Sequence, residues 1–163
     1  MSKVAVVTGG TSGIGRATAL ALKDAGYAVY ELSRRAEGVE GLHHISADVT
    51  DQQAVNDAVA QIMAAEGHID VLVNNAAGMA LKDGRVDEIS LEDWDAVFAS
   101  DIRSTFYCTK IALPYLKRND KASIINIGSM AACSGDLGST AYACAKAGVD
   151  MLLSLIHISE PTR

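Results

Sequence analysis

Short apolar runs and stretches with helical spacing alternate along most of the chain. Residues 3–8 form an apolar run that ends at a pair of glycines, and residues 14–25 have apolar side chains at helical spacing up to Gly26. These features predict a strand, a glycine turn and a helix in succession. Later apolar runs predict strands at residues 28–33, 44–47, 71–74 and 123–127, and helical spacing predicts helices after Asp51, from about Leu91 to Tyr115, and from Ser139 onward.

This alternation predicts a single α/β domain. Strands separated by helices form parallel sheets, with right-handed connections and helices on both faces. The expected fold is a doubly wound, Rossmann-type parallel sheet of about five strands in the order 3-2-1-4-5. In such a sheet, ligands bind at the carboxyl ends of the strands.

Composition and charge narrow the kinds of partner. The chain has 163 residues, of which 49% are hydrophobic and 21% charged, so it is long enough for one folded domain and unlike a disordered segment. Its net charge is -6, with no basic run beyond Arg34 and Arg35, which favours a small molecule over nucleic acid or an anionic membrane. No apolar stretch approaches the length of a membrane span, and we expect a cytoplasmic location.

The cysteines and histidines do not form a metal-binding pattern. Cys108, Cys133 and Cys144 lack the short spacings of zinc sites, and we expect reduced thiols that serve in packing. His43 and His44 begin a predicted strand without a third ligand nearby. No metal site is predicted.

The sequence TGGTSGIG, residues 8–15, connects the first predicted strand to the first helix. Glycines in this position allow a tight turn and a close approach of the backbone to a phosphate, while the N-terminus of the helix favours negative charge. We therefore predict that this turn binds the pyrophosphate of a dinucleotide. The expected contact residues are Gly9, Thr11, Ser12, Gly13, Ile14 and Gly15.

Two further motifs accompany this turn. Tyr142 and Lys146 stand one helical turn apart, and Ser129 precedes the tyrosine by thirteen residues. Together with a turn in which three residues separate the first two glycines and one separates the last two, they resemble the short-chain dehydrogenase/reductase superfamily. The resemblance runs over residues 3–152 and implies an oxidoreductase that transfers hydride between a nicotinamide cofactor and a carbonyl or secondary alcohol.

The resemblance also implies roles for residues around the cofactor. Asp48 would accept a hydrogen bond from the adenine amino group, and Val49 would pack on the ring. Asn75 and Ala76 would border the cofactor ribose, in a segment that has an alanine where the family's Asn-Asn-Ala-Gly motif has its glycine. The alternative is that the asparagines only stabilise a turn.

The end of the second predicted strand bears on the choice of cofactor. Where NAD-dependent members of the family have an acidic residue, this chain has Ser33, followed by Arg34. A guanidinium suits a 2′-phosphate, so NADP(H) is favoured and NAD(H) is the alternative. Glu31 points to the same face of the strand as Ser33 and would oppose the phosphate.

A tyrosine phenol, with an unperturbed pKa of about 10, needs a stabilising neighbour to exchange protons near neutral pH. Residues i and i+4 share a helix face, so the Lys146 ammonium is placed to stabilise a phenolate at Tyr142. The resemblance implies that Tyr142 is the general acid or base and that Ser129 holds the substrate oxygen. It also implies that Lys146 and Tyr142 contact the nicotinamide ribose.

One catalytic position departs from the family. Asp101 stands where the family normally has an asparagine, whose amide helps to hold a water that joins Lys146 to a proton relay. A carboxylate accepts a hydrogen bond from water but donates none, and it would reduce the positive potential that favours the phenolate. We therefore expect Asp101 to lower the activity or to alter the relay.

Residues 153–163, LSLIHISEPTR, do not resemble the family. Codons for these residues resemble a transposase-type sequencing adapter read in frame, so we expect residues 1–152 to be the N-terminal part of a Rossmann-fold domain and the remainder a non-native tail; a natural helix end is the alternative. The domain would then lack its last strands and its substrate-binding loop, and the fifth strand would be an exposed edge. The longer parent would be a homo-oligomer.

Three functions follow from these expectations. The first is an NADP(H)-preferring oxidoreductase acting on a small carbonyl or alcohol. The second is an inactive or nucleotide-binding-only fragment, which Asp101 and the expected loss of the substrate loop favour. The third is a dehydratase or epimerase of the same superfamily, whose turn has a G-x-x-G-x-x-G spacing that this chain lacks.

Overall fold

The computed structural model of the chain describes residues 2–78, 82–134 and 138–159, with the backbone alone for residues 156–159. The five predicted strands are present as β1 (Val4–Thr8), β2 (Ala28–Ser33), β3 (His43–Ser46), β4 (Val71–Asn74) and β5 (Ser123–Asn126). The helices are α1 (Gly13–Asp24), α2 (Gln52–Glu66), α3 (Leu91–Phe98), α4 (Ser104–Leu116) and α5 (Thr140–Ser159).

The strands form one parallel sheet in the order β3-β2-β1-β4-β5, which confirms the predicted order. The central strand β1 pairs with β2 and β4, and every residue in it is buried, as its uninterrupted apolar sequence requires. At the carboxyl edge Thr8 is paired with Leu32, and Asn74 with Asn126. The strand β5 lies at the edge of the sheet, where Ile125 is 43% exposed.

Helices cover both faces of this sheet, as predicted. On one face α1 packs against a small cluster that includes Val7 and Val73. On the other face α2 and α4 pack on a larger cluster that includes Val6 and Leu72. The predicted N-cap Asp51 is confirmed, because its carboxylate accepts a hydrogen bond from the N–H of Gln53 at 2.8 Å.

The single long helix predicted at residues 91–115 is interrupted by a π-helical turn, Ala99–Arg103, between α3 and α4. A π turn contains one residue more than an α turn and leaves backbone carbonyls without their usual partners. The hydroxyls of Ser104 and Thr105 donate to the carbonyl oxygens of Ser100 and Asp101, four residues earlier in each case. Helical spacing in a sequence does not reveal such a shift, which here turns Asp101 into the interior.

The expectation that all three cysteines serve in packing is wrong for two of them. Cys108 is buried in the core, and burial raises the pKa of its thiol to about 12. Cys133 and Cys144 are exposed and free. Within the described residues no group of three or more His, Cys, Asp or Glu side chains is arranged to hold a metal ion.

Two further findings concern the lengths of the helices. Among the described residues, no helix has both the length and the apolar character needed to cross a membrane. The helix α5 continues to Ser159, so residues 153–159 of the expected tail are helical. Residues 160–163 of that segment lie outside the described residues.

Candidate active site

The glycine turn lies at the carboxyl end of β1, between the two strands that flank it. Gly9 has a φ of 68°, a left-handed conformation that favours glycine. Gly15 is buried at the start of α1, where a Cβ would clash with the side-chain amide of Asn75 and the carbonyl of Gly9. The turn therefore requires glycine at both positions.

The N-terminus of α1 is open to an anionic ligand. The side chain of Ser12, at the N-cap, makes no capping hydrogen bond, and no acidic residue lies in the first turn of the helix. Unpaired N–H groups at a helix N-terminus attract negative charge. Ile14 is 64% exposed in the same turn, and Ser12 and Gly13 are exposed beside it.

Asn75, directly after β4, ties its loop to the glycine turn. Its side-chain amide donates to the carbonyl oxygens of Thr8 at 3.0 Å and Gly9 at 3.3 Å. The backbone N–H groups of Asn75 and Ala76 both donate to the Thr8 hydroxyl, each at 3.0 Å. The asparagine therefore stabilises the turn, while the ribose contacts of Asn75 and Ala76 stay a prediction.

At the end of β2 the charges are arranged differently from the expectation. Arg34 is exposed, whereas Glu31 is fully buried and its carboxylate contacts Nδ1 of His44. Among the described residues, the second Glu31 oxygen and the buried Ser33 hydroxyl have no hydrogen-bond partner. Because Glu31 is buried and paired, it does not present its charge at the surface beside Arg34.

The residues expected at the adenine lie between β3 and α2. The Asp48 carboxylate accepts hydrogen bonds from the N–H of Thr50 at 2.9 Å and from its hydroxyl at 2.8 Å. Val49 is 8% exposed and belongs to the core that α2 covers. Both residues therefore have structural roles, and their contacts with adenine stay predictions.

Tyr142 and Lys146 lie together on α5. The Lys146 side chain is buried, and its Nζ lies 5.7 Å from the centroid of the Tyr142 ring. The same ammonium donates to the carbonyl oxygen of Ile127 at 3.0 Å. Tyr30 has the opposite environment, because burial and the Glu66 carboxylate raise the pKa of its phenol to about 12.

Asp101 is the third member of this cluster and is fully buried. Its Oδ1 lies 3.6 Å from the Lys146 ammonium. Its Oδ2 accepts hydrogen bonds from the Gly78 N–H at 3.1 Å and from the Ser100 hydroxyl at 2.6 Å. The structure thus groups three of the four predicted catalytic residues around the Lys146 ammonium.

Ser129 follows β5 at the same edge of the sheet. Its Oγ accepts a hydrogen bond from the Ala131 N–H at 3.2 Å and caps a short 3₁₀ turn, Met130–Ala132, which packs against α5. A hydroxyl that accepts one hydrogen bond keeps its own hydrogen for another acceptor. The Ser129 side chain is half-buried, and among the described residues its hydroxyl hydrogen has no acceptor.

One residue of this region was missed from the sequence. The Asp83 carboxylate accepts hydrogen bonds from the N–H groups of Gly84 at 2.8 Å, Ala141 at 3.1 Å and Tyr142 at 2.8 Å. The last two are 58 and 59 residues away, so no local pattern reveals the contact. The one available signal is the Asp-Gly pair after β4, which is typical of a turn.

Known proteins resemble this chain along most of its length. The sequence profile of the short chain dehydrogenase family matches residues 3–159. The 3-oxoacyl-[acyl-carrier-protein] reductase FabG of Thermotoga maritima is 35% identical over 158 aligned positions, which cover 90% of this chain and 63% of that protein. YxbG of Bacillus subtilis, an uncharacterized oxidoreductase, is 34% identical, and the match covers 96% of this chain and 61% of that protein.

Solved structures of related proteins also resemble this chain. The ligand-free aldohexose dehydrogenase of Thermoplasma acidophilum has a TM-score of 0.91 and 33% identity, over 98% of this chain and 62% of that one. A short-chain dehydrogenase from Streptomyces avermitilis has a TM-score of 0.89 and 30% identity, over 96% of this chain and 60% of that one. This chain therefore spans less than two thirds of the length of these relatives.

Proposed function

Because this chain belongs to the short-chain dehydrogenase/reductase family, we propose that it transfers hydride between a nicotinamide dinucleotide and a carbonyl or secondary alcohol. The observation that carries the proposal is the buried Lys146 ammonium, 5.7 Å from the centroid of the Tyr142 ring. An ammonium held beside a phenol is what an acid/base tyrosine requires. Hydride transfer is the chemistry that the bound nicotinamide supplies, and the proton is left to the protein.

Tyr142 is the proton donor for carbonyl reduction and the proton acceptor for alcohol oxidation. The proton moves from the phenol oxygen to the substrate oxygen as negative charge develops there. Lys146 stabilises the phenolate that remains and also binds the nicotinamide ribose. Ser129 donates a hydrogen bond to the same substrate oxygen and orients it.

The carboxyl edge of the sheet suits the cofactor. Three features suit the binding of a pyrophosphate. They are the left-handed conformation of Gly9, the close packing around Gly15 and the uncapped N-terminus of α1. Exposed Ile14 in the same turn is an apolar side chain that a bound dinucleotide would cover. The other residues proposed to hold the cofactor are Asp48 and Val49 at the adenine and Asn75 and Ala76 at the ribose.

We assign the cofactor as NADP(H). The guanidinium of Arg34 is exposed at the end of β2, where it is free to form a charge-assisted contact with a 2′-phosphate. Repulsion of the phosphate by Glu31 is reduced, because the Glu31 carboxylate is buried and paired with His44. Ser33 offers no carboxylate to the ribose hydroxyls that NAD(H) would present.

Replacing Arg34 with alanine tests this assignment. A hydrogen bond to a charged group contributes about 1.5–3 kcal/mol, so the dissociation constant for NADPH should rise about 10- to 100-fold. The dissociation constant for NADH should change little, because that cofactor lacks the phosphate. Both are measured by fluorescence titration of the purified chain, with the exposed surface residue Arg85 replaced by alanine as the control. Equal losses for the two cofactors, or none, would contradict the assignment.

We also propose candidate substrates, an oligomeric state and a cellular location. Two of the relatives are a 3-oxoacyl-[acyl-carrier-protein] reductase and an aldohexose dehydrogenase, so the assay panel for the proposed hydride transfer includes a 3-oxoacyl-[acyl-carrier-protein] and an aldohexose. We propose a homo-oligomer, since an apolar groove between α4 and α5 contains Phe106, Leu113 and Leu152. We propose a cytoplasmic location, where the exposed thiols of Cys133 and Cys144 would stay reduced.

A second candidate function is nucleotide binding without turnover, and the observation that favours it is Asp101. Its carboxylate lies 3.6 Å from the ammonium that should stabilise the phenolate and offsets part of that positive charge. The same contact would leave the glycine turn and the proposed contacts of Arg34, Asp48 and Val49 with the cofactor unaffected. Nucleotide binding would then persist while proton transfer slowed.

Replacing Asp101 with asparagine separates the two functions. Removing the negative charge should favour the phenolate, so the rate of alcohol oxidation at pH 7 should rise about threefold to tenfold. The exposed Asp57, replaced by asparagine, is the control. An unchanged rate would contradict the role given to Asp101. NADPH binding without turnover in both the original chain and this variant would establish the second function.

A further inference from the structure

Asp83 joins the loop after β4 to the beginning of the helix that carries Tyr142. Its carboxylate accepts hydrogen bonds from the N–H groups of Ala141 at 3.1 Å and Tyr142 at 2.8 Å. The next carbonyl, that of Gly84, accepts from the Thr140 N–H at 3.3 Å. The first three N–H groups of α5 are therefore all bound by two consecutive residues of a distant loop.

We propose that Asp83 is the positioning residue for the Tyr142 acid/base. This inference rests on the proposed function. The N–H groups in the first turn of a helix have no partner within the helix, so an acceptor there decides where the helix begins and how its first turn is oriented. A carboxylate is the strongest such acceptor, because its charge also interacts favourably with the helix dipole.

The position of this contact makes it more than a helix cap. One of its two donors in α5 is the backbone of Tyr142 itself, and the other is the preceding residue. A displacement of this turn therefore moves the phenol directly, whereas Lys146, one turn later, is held separately by the Ile127 carbonyl. Small displacements of a catalytic group lower rates severely even when folding is intact.

The same loop reaches the cluster from its other end. The Gly78 N–H donates to the Asp101 carboxylate at 3.1 Å, and Asp83 binds the Tyr142 N–H five residues later in the chain. Asn75, at the start of the loop, holds the glycine turn. The loop after β4 thus contacts the phosphate turn, the buried ion pair and the tyrosine in succession, and Asp83 is its contact with the tyrosine.

The test combines two variants with two independent readouts. Asp83→Ala removes both acceptors, and Asp83→Asn keeps one of them at reduced strength. Amide hydrogen exchange, followed by mass spectrometry on peptides spanning residues 138–146, reports the contact without any catalysis. Exchange at Ala141 and Tyr142 should be about tenfold faster or more in Asp83→Ala and intermediate in Asp83→Asn, because these amides lose their acceptor. Asp87→Asn is the matched control, since this exposed carboxylate of the same loop contacts Arg85.

The second readout separates positioning from folding. In single-turnover reduction with bound NADPH, both variants should lose about tenfold or more in the hydride-transfer rate, while NADPH affinity changes by less than about twofold. Unchanged exchange at residues 141–142 would overturn the inference, and so would faster exchange with an undiminished rate. If the original chain shows no turnover, the proposed function fails, and the exchange result alone then decides whether Asp83 fixes the start of α5. If Asp83→Ala does not fold, Asp83→Asn provides the same comparison.

Discussion

Replacing Tyr142 with phenylalanine is expected to slow hydride transfer by about 10²- to 10⁴-fold, the usual contribution of a positioned general acid or base. The substitution keeps the ring that lies 5.7 Å from the Lys146 ammonium and removes only the hydroxyl that carries the proton. NADPH affinity should change by at most about tenfold, because a phenol contact with ribose is one neutral hydrogen bond of about 0.5–1.5 kcal/mol. The loss should therefore fall on the single-turnover rate of NADPH oxidation and not on the titrated dissociation constant.

Tyr27 provides a close control for this experiment. The ammonium of Lys3 lies 5.8 Å from the centroid of its ring, which reproduces the tyrosine and lysine geometry away from the proposed site. Tyr27→Phe should leave both the rate and the affinity unchanged. A Tyr142→Phe variant with the original rate would show that another group moves the proton, and Ser129 would be the next residue to examine.

Replacing Lys146 with methionine is expected to lower the free energy of unfolding by about 3–5 kcal/mol, because it leaves a buried charge without its partner. Asp101 is fully buried, and the N–H of Gly78 and the hydroxyl of Ser100 would be its remaining contacts among those described. Methionine keeps much of the length and apolar character of the lysine stem. The change in stability therefore reports the charge and not a cavity. Denaturant unfolding followed by circular dichroism measures it.

The double variant Lys146→Met with Asp101→Asn distinguishes this explanation from a general weakening of α5. Once both charges are absent, much of the lost stability should return, with a coupling energy of about 0.5–3 kcal/mol. Lys82→Met is the control, because Lys82 is 83% exposed and pairs with Asp93 at 3.7 Å, an arrangement worth at most about 1 kcal/mol. Strict additivity of the two single changes would show that the ion pair is not coupled.

The sequence predicts the sheet because the relevant signals are local. The strands β1 and β4 are nearly continuous apolar runs, and the alternation of strands with helices indicates a parallel sheet with right-handed connections. The same locality explains why Tyr142 and Lys146 could be assigned to one helix face. The Asp51 cap of α2 could be read in the same way, since the residue stands directly before its helix.

The features that escaped prediction depend on distant contacts or on backbone register. Asp83 finds its partners only after the chain has folded through α3, α4 and β5. The burial of Glu31 follows from its contact with His44 on the neighbouring strand, although the strand pattern alone placed its charge beside Arg34. The exposure of Cys133 and Cys144 likewise depends on which helix or turn surface faces solvent, and spacing along the chain does not determine that.

The π-helical turn Ala99–Arg103 gives the two kinds of mutation at this site very different consequences. Codons for aspartate and asparagine differ by a single base, so one nucleotide change can exchange the charged residue at position 101 for the family's amide. A one-codon deletion within the turn would instead rotate the flanking helices by about 100° relative to each other and carry the side chain out of the interior. Genetic variation can therefore retune the charge beside Lys146 in one step, whereas the length of this turn should resist change.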